Sequence, residues 1–179
     1  VLRQAQEQVE DPYFRGRVQL RMASALYRAG RYREAIEEYS VYRKAYGDIA
    51  LSIGVGHDQI LFSVGDAYRE LARRENAELN FRLAGESYVA LLKDYPNSSR
   101  AAEAHYGLGH AFFGLGHLDS SRVEFAAAVE ENPGSSVAPH ALNWRARAAF
   151  IGGDHAQSLS LYQKLIDFYP EPGLLNQAW

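Results

Sequence analysis

The sequence predicts an all-α fold, a solenoid of stacked antiparallel helix pairs, and three observations point there. The first is a period. Prolines 96, 133 and 170 stand 37 residues apart twice, and Gly116, Ser121, Phe125 and Ala128 are answered at the same offset by Gly153, Ser158, Tyr162 and Leu165. A fixed period held at several positions marks stacked repeats. The second is the clearest unit, AEAHYGLGHAFFGLGHLDSSRVEFAAAVEENP over 102–133. Gly109 and Ala128 are small where two helices must come close, and Leu108, Phe112 and Phe125 fill the space around them. The third is punctuation: Gly116 separates the two helices and Pro133 stops the second.

Taken in order, residues 1–11 read as a partial preceding repeat, with Val1–Glu10 helical and Leu2, Ala5 and Val9 on one face. Repeat 1 spans 12–47. Asp11 is its N-cap and Pro12 its first helical residue. The helix should run to Ala29, bury Val18, Met22, Ala25 and Leu26, and end at Gly30. The second helix turns Ala35, Ile36, Tyr39 and Tyr42 inward. Gly47–His57 breaks the pattern and is expected to be the longest loop. Its apolar residues should pack under a neighbour; a docking loop is the alternative. Repeat 2, 58–96, opens with Asp58 as N-cap. Leu61, Val64, Gly65 and Tyr68 lie on its first helix, and Ala84, Tyr88 and Leu91 on its second. About seven residues more than the repeat consensus lie between Tyr68 and Ala84. They predict two longer helices that meet near Asn76 with projecting tips. Repeat 3 spans 97–133 and repeat 4 spans 134–170. Residues 171–179 begin a further repeat, and Leu174, Leu175 and Trp179 should pack back on the helix carrying Tyr162 and Leu165.

Composition bounds the function. The 179 residues are 47% apolar and 23% charged, with a net charge of −3. That balance supplies no electrostatic footprint for nucleic acid. No cysteine is present, so thiolate catalysis and cysteine-based zinc sites are excluded. No apolar run reaches the length of a membrane span. The chain starts at Val1 and repeat-like text reaches both ends, so a fragment of a longer protein is expected.

The order Leu108-Gly109-x2-Phe112, Phe125, Ala128, Pro133 resembles the tetratricopeptide repeat, W-x2-L-G-x2-Y then A-x3-F then P. The resemblance implies a right-handed superhelix whose first helices line a concave face, and a protein-interaction scaffold. The linkers Tyr95-Pro-Asn-Ser-x2-Ala-x2-Ala-x-Tyr106-x-Leu-Gly and Asn-Pro133-x-Ser-x2-Ala138-x2-Ala141-x2-Trp144 resemble bacterial cell-envelope members, the outer-membrane-assembly lipoproteins and the Tol–Pal-associated periplasmic proteins. This implies a periplasmic or cell-envelope location; cytoplasmic is the alternative. Some relatives clamp a terminal carboxylate with Lys and Asn. The matching positions here are Leu20 and Ser24, Phe62 and Asp66, Tyr106 and His110, Asn143 and Arg147, so no such clamp is implied.

Other chemistry does not assemble. His105, His110 and His117 lack the i, i+4 spacing of a zinc helix; His105 takes the repeat's tryptophan position and should be a packed ring, and His57 and His117 fall in turns. Gly107-x-Gly109 lies on a helix, without the strand a dinucleotide loop requires. No nucleophile elbow occurs. An enzyme, a metal and a cofactor are therefore not expected. The expected site is a concave groove of Tyr27, Phe62, Asp66, Arg69, Tyr106, His110, Phe113, Asn143, Arg147 and Phe150. In it, Arg69 and Arg147 would meet acidic or backbone groups of a protein or peptide ligand and Asp66 a basic one. Nucleic acid and direct membrane insertion are not expected. The alternative is a self-assembly module that associates through its repeat ends.

Overall fold

The computed structural model describes residues 11–169. The expected helix over Val1–Glu10 and the docking of Leu174, Leu175 and Trp179 lie outside the described residues. Within them there is no strand, and the predicted all-α solenoid is what the structure shows. Four antiparallel pairs follow one another: α1 (Pro12–Arg28) with α2 (Tyr32–Tyr46), α4 (His57–Ala72) with α5 (Ala77–Asp94), α6 (Ala101–Gly114) with α7 (Leu118–Glu131), and α8 (Ala138–Ile151) with α9 (His155–Phe168). A 3₁₀ turn (Gly47–Ile49) and the short α3 (Ala50–Ile53) join the first two pairs.

The helix ends follow from local chemistry. The Asp11 carboxylate accepts the Tyr13 N–H at 2.9 Å, and Pro12 supplies the first turn. Gly30, Gly116 and Gly153 end the first helices of three pairs with φ of +72°, +76° and +83°, a left-handed turn that lets the following N–H groups reach back to the last carbonyls.

Packing repeats with the period. Each first helix buries a small residue, Ala23, Gly65, Gly109 or Ala146, under its partner. A Cβ on Gly65 would meet the Tyr88 ring at 2.7 Å, and one on Gly109 the Phe125 ring at 2.7 Å. Ala35, Ile36, Tyr39 and Tyr42 are buried on α2, and Ala84, Tyr88 and Leu91 on α5, as their spacing predicts. Tyr162 is only half-buried at the position where Phe125 is fully enclosed. His105 is a packed ring whose Nδ1 lies 2.7 Å from Glu124, joining α6 to α7.

Four expectations change. Helix α1 buries Gly16, Gln19 and Ala23, while Ala25 is exposed and Val18, Met22 and Leu26 are half-buried. The reason lies in its neighbours: a Cβ on Gly16 would stand 2.5 Å from Ile53 and 3.3 Å from Tyr46. Large side chains arriving from α2 and α3 therefore select the small face of α1. Residues 47–57 are not a loop. Ala50 is buried, and Ile53 and Val55 pack on the core of Ala23, Tyr39 and Tyr42, so the segment packs as expected but does so as helical turns. Helix α4 starts at His57 with Gly56 as its cap; Asp58 sits in the first turn and accepts the Ser98 hydroxyl. The tips of α4 and α5 do meet at Asn76, but they lean back on the first pair. Arg74 donates to the Gly30 carbonyl at 2.9 Å and lies over the Tyr32 ring, while Arg33 pairs with Glu75 at 2.8 Å.

Asn76 turns the chain with φ of +43°, a left-handed conformation that asparagine tolerates and most residues do not. Asn76→Val should cost about 1–2 kcal/mol and Asn76→Gly much less, measured as shifts of the urea midpoint. Equal midpoints would mean that the turn relaxes without strain.

Candidate functional site

Helices α4, α6 and α8 carry all of the expected groove residues except Tyr27, at steps of three and four that place each set on one face of its helix. On α4, Asp66 accepts the Tyr88 hydroxyl at 2.8 Å and an Arg69 N–H at 3.0 Å. Arg69 also reaches Glu70 at 3.5 Å, and Glu70 pairs with Arg73 at 3.1 Å. Burial, then the Asp66 charge, push the fully enclosed Tyr88 phenol well above its ordinary range. Tyr27 joins this network from α1. Its ring stands edge-on to Tyr32 at 5.3 Å, and burial followed by the Asp66 and Glu70 charges pushes its phenol up to about 12. Asp66 and Arg69 were expected to reach for a partner; they are instead committed to each other and to Tyr88.

The α6 and α8 rows build an aromatic floor. His110 stands edge-on to Tyr106 at 4.6 Å and to Trp144 at 4.5 Å, with Phe125 behind it at 5.3 Å. Phe113 meets the Trp144 ring at 5.1 Å, and the Arg147 guanidinium lies over that ring at 4.3 Å. Phe62 lies 6.0 Å from Tyr88 and carries the Arg100 guanidinium at 4.9 Å. His110 and Asn143 are 8% and 7% exposed, so they underlie the groove rather than line it, and the Asn143 side-chain oxygen is buried without a donor. Phe150 is 59% exposed and touches His155, away from the aromatic floor.

These stacked pairs match known sequence profiles. A profile described as tetratricopeptide repeat matches residues 69–136 and 106–171, and a second of the same description matches 17–48. The chain belongs to the tetratricopeptide repeat family. No curated protein matches it. Among solved structures, MamA from Desulfovibrio magneticus RS-1, from residue 41 to its end, superposes at a TM-score of 0.68 with 18% identity, covering 88% of this chain and 75% of that one. A MamA RS-1 ArsTM double mutant gives 0.71 and 18%, covering 93% and 80%. YrrB, described as a TPR protein with an unusual peptide-binding site, gives 0.41 and 17%, covering 90% of each.

Within this tetratricopeptide repeat array, reading the sequence by rows missed the two rings on which the expected groove residues rest, Trp144 and Tyr88. Trp144 falls one period of 37 after Gly107, and a bulky residue in a small residue's place was the signal. At Gly107 the Tyr88 ring comes so close that a Cβ would overlap it; one pair later Trp144 supplies the ring itself. Two clefts are lined by none of the expected groove residues. One of about 280 Å³ opens between α2, α4 and α5. The other, about 480 Å³, lies between the Gly47–Asp58 segment and Tyr95–Ser98, with His57 Nε2 buried and unpartnered at its wall. Among the described residues no group of three or more His, Asp or Glu could hold a metal, and no helix is long and apolar enough to cross a membrane.

Burial, followed by the charges of Arg69, Arg73 and Arg147, pulls the His110 imidazole down to about 3. The unfolded chain takes up this proton near the ordinary histidine value of about 6.5, and the folded chain does not until about 3. The unfolded state therefore binds more protons in that window, and stability is lost as pH falls through it. The limiting slope is roughly 1.4 kcal/mol per pH unit. His110→Phe should flatten the pH dependence of the urea midpoint between neutrality and pH of about 4. Parallel curves for the two proteins would place His110 in contact with solvent.

Proposed function

We propose that this tetratricopeptide repeat array is a protein-interaction scaffold that holds a segment of a partner, extended or helical, along its concave face, and that it works in the bacterial cell envelope. The observation that carries the binding reading is the aromatic floor that crosses three successive pairs, from Phe62 through Tyr106 to Phe113 and Trp144, with Arg147 on its surface. Aromatic and arginine side chains dominate binding energy at protein interfaces. The reading is one of recognition, not catalysis. The envelope setting is supported by the linker sequences around Pro96 and Pro133 alone.

The test is a pull-down with wild-type protein, followed by affinity measurements on Phe113→Ala and Arg147→Ala with the recovered partner. Each truncation should cost about 2 kcal/mol, roughly thirty-fold in affinity, with both variants still folded at the assay temperature. Wild-type affinity in both variants would move the site to the convex face. A second reading, self-assembly through the ends, is favoured by exposed Ile151, Leu159, Ile166 and Phe168 on the last pair. A solution mass above that of one chain, without added partner, would support it.

A further inference from the structure

The charges along the groove are unevenly spent. On α4 they cancel in place: Asp66 with Arg69, and Glu70 with Arg69 and Arg73. Helix α8 carries Arg145 and Arg147 and no acidic residue. The one acid of α6, Glu103, sits seven residues before His110, two turns or roughly 10 Å back along the axis. Arg147 has no carboxylate partner among the described residues. It is held flat over Trp144, an attraction through the ring face that occupies none of its N–H donors. The field on the buried floor agrees: besides burial, the groups acting on His110 are Arg69, Arg73 and Arg147, all cations. The α6–α8 half of the groove is therefore aromatic, and it is positive around Arg147, where no carboxylate answers the charge; the half built by α4 is neutral.

We propose that the α6–α8 half of the groove selects an acidic partner segment, in which an Asp or Glu side chain meets the N–H edge of Arg147 while a neighbouring apolar side chain lies against Phe113 and Trp144. This rests on the concave-groove reading and adds the chemistry of the ligand. The acid is a side chain within the segment, not a chain end, because Asn143 and Arg147 on one helix face no lysine or asparagine at Tyr106 and His110 or at Phe62 and Asp66. A planar guanidinium already oriented by Trp144 loses little freedom when it takes a carboxylate in a bidentate pair.

The probe is an array of random peptides about 12 residues long with blocked ends, which removes terminal charges as an explanation. It is read with the labelled 179-residue chain at about 50 and about 300 mM NaCl. The expected result is enrichment of Asp and Glu beside Phe, Leu or Trp among bound peptides, with weaker binding at high salt. Arg147→Glu should lower affinity for those peptides at least about ten-fold and shift preference towards Lys-bearing ones, with the variant still folded at the assay temperature. Should that variant fail to fold, Arg147→Gln should lower the same affinity about five-fold. Bound peptides that are neutral or basic, yet lost in Phe113→Ala, would overturn the acidic preference and leave the groove reading standing. No bound peptide, or binding indifferent to both Phe113→Ala and the Arg147 variants, would overturn the groove reading and this proposal with it.

Discussion

Phe125→Ala should lower the stability of the array by about 3–5 kcal/mol, the range for removing a buried phenylalanine. Phe125 is fully buried. Its ring is closed in by Tyr106 at 5.8 Å, His110 at 5.3 Å and Trp144 at 6.4 Å, and it rests on the α6 backbone at Gly109. The cost depends on whether the hole can close. On one side is a helix backbone held by its own hydrogen bonds. On the other is Trp144, pinned between Phe113 and Arg147. Neither wall can move far, so most of the cavity should persist. Urea unfolding measures the loss, with Phe168→Ala as control: Phe168 is 73% exposed, and its truncation should stay within about 0.5 kcal/mol. A loss below about 1 kcal/mol for Phe125→Ala would mean that the third and fourth pairs close up freely, and the floor of the groove would not be rigid.

The same ring separates what could be read from the sequence from what could not. Phe125, Tyr88, Gly109 and Gly65 are legible because each small residue and the ring above it belong to one pair, so the spacing repeats with the period. The buried face of α1 is not legible, because Ile53 helps decide it from a segment that lies between two repeats. The short α3 spans too few residues for helical periodicity to be visible. In the groove, the rows on α4, α6 and α8 follow from steps of three and four. The depth of each residue does not. His110 is buried because Trp144 arrives from the next pair, and Asp66 is occupied because Tyr88 arrives from the partner helix. The charge preference of the groove follows from that occupancy: the α4 charges are spent internally, and Arg147 is not.

Gly109→Leu sets two effects of opposite sign against each other. A glycine within a helix is worse than other residues by about 0.5–1 kcal/mol, so propensity alone predicts that the substitution stabilises. Space predicts the reverse. A Cβ at Gly109 would stand 2.7 Å from the Phe125 ring, which has no room to retreat, and overpacking of this kind costs about 1–3 kcal/mol before the rest of the leucine side chain is placed. The clash should win, and the melting temperature should fall. Gly85→Ala is the control that isolates propensity. Gly85 also lies within a helix, yet a Cβ there would meet Leu108 at 3.5 Å, an ordinary contact, so this variant should gain stability by up to about 1 kcal/mol. If both variants stabilise, α6 and α7 are not held at the separation that Phe125 and Gly109 define, and the aromatic floor that rests on that ring would have no fixed support.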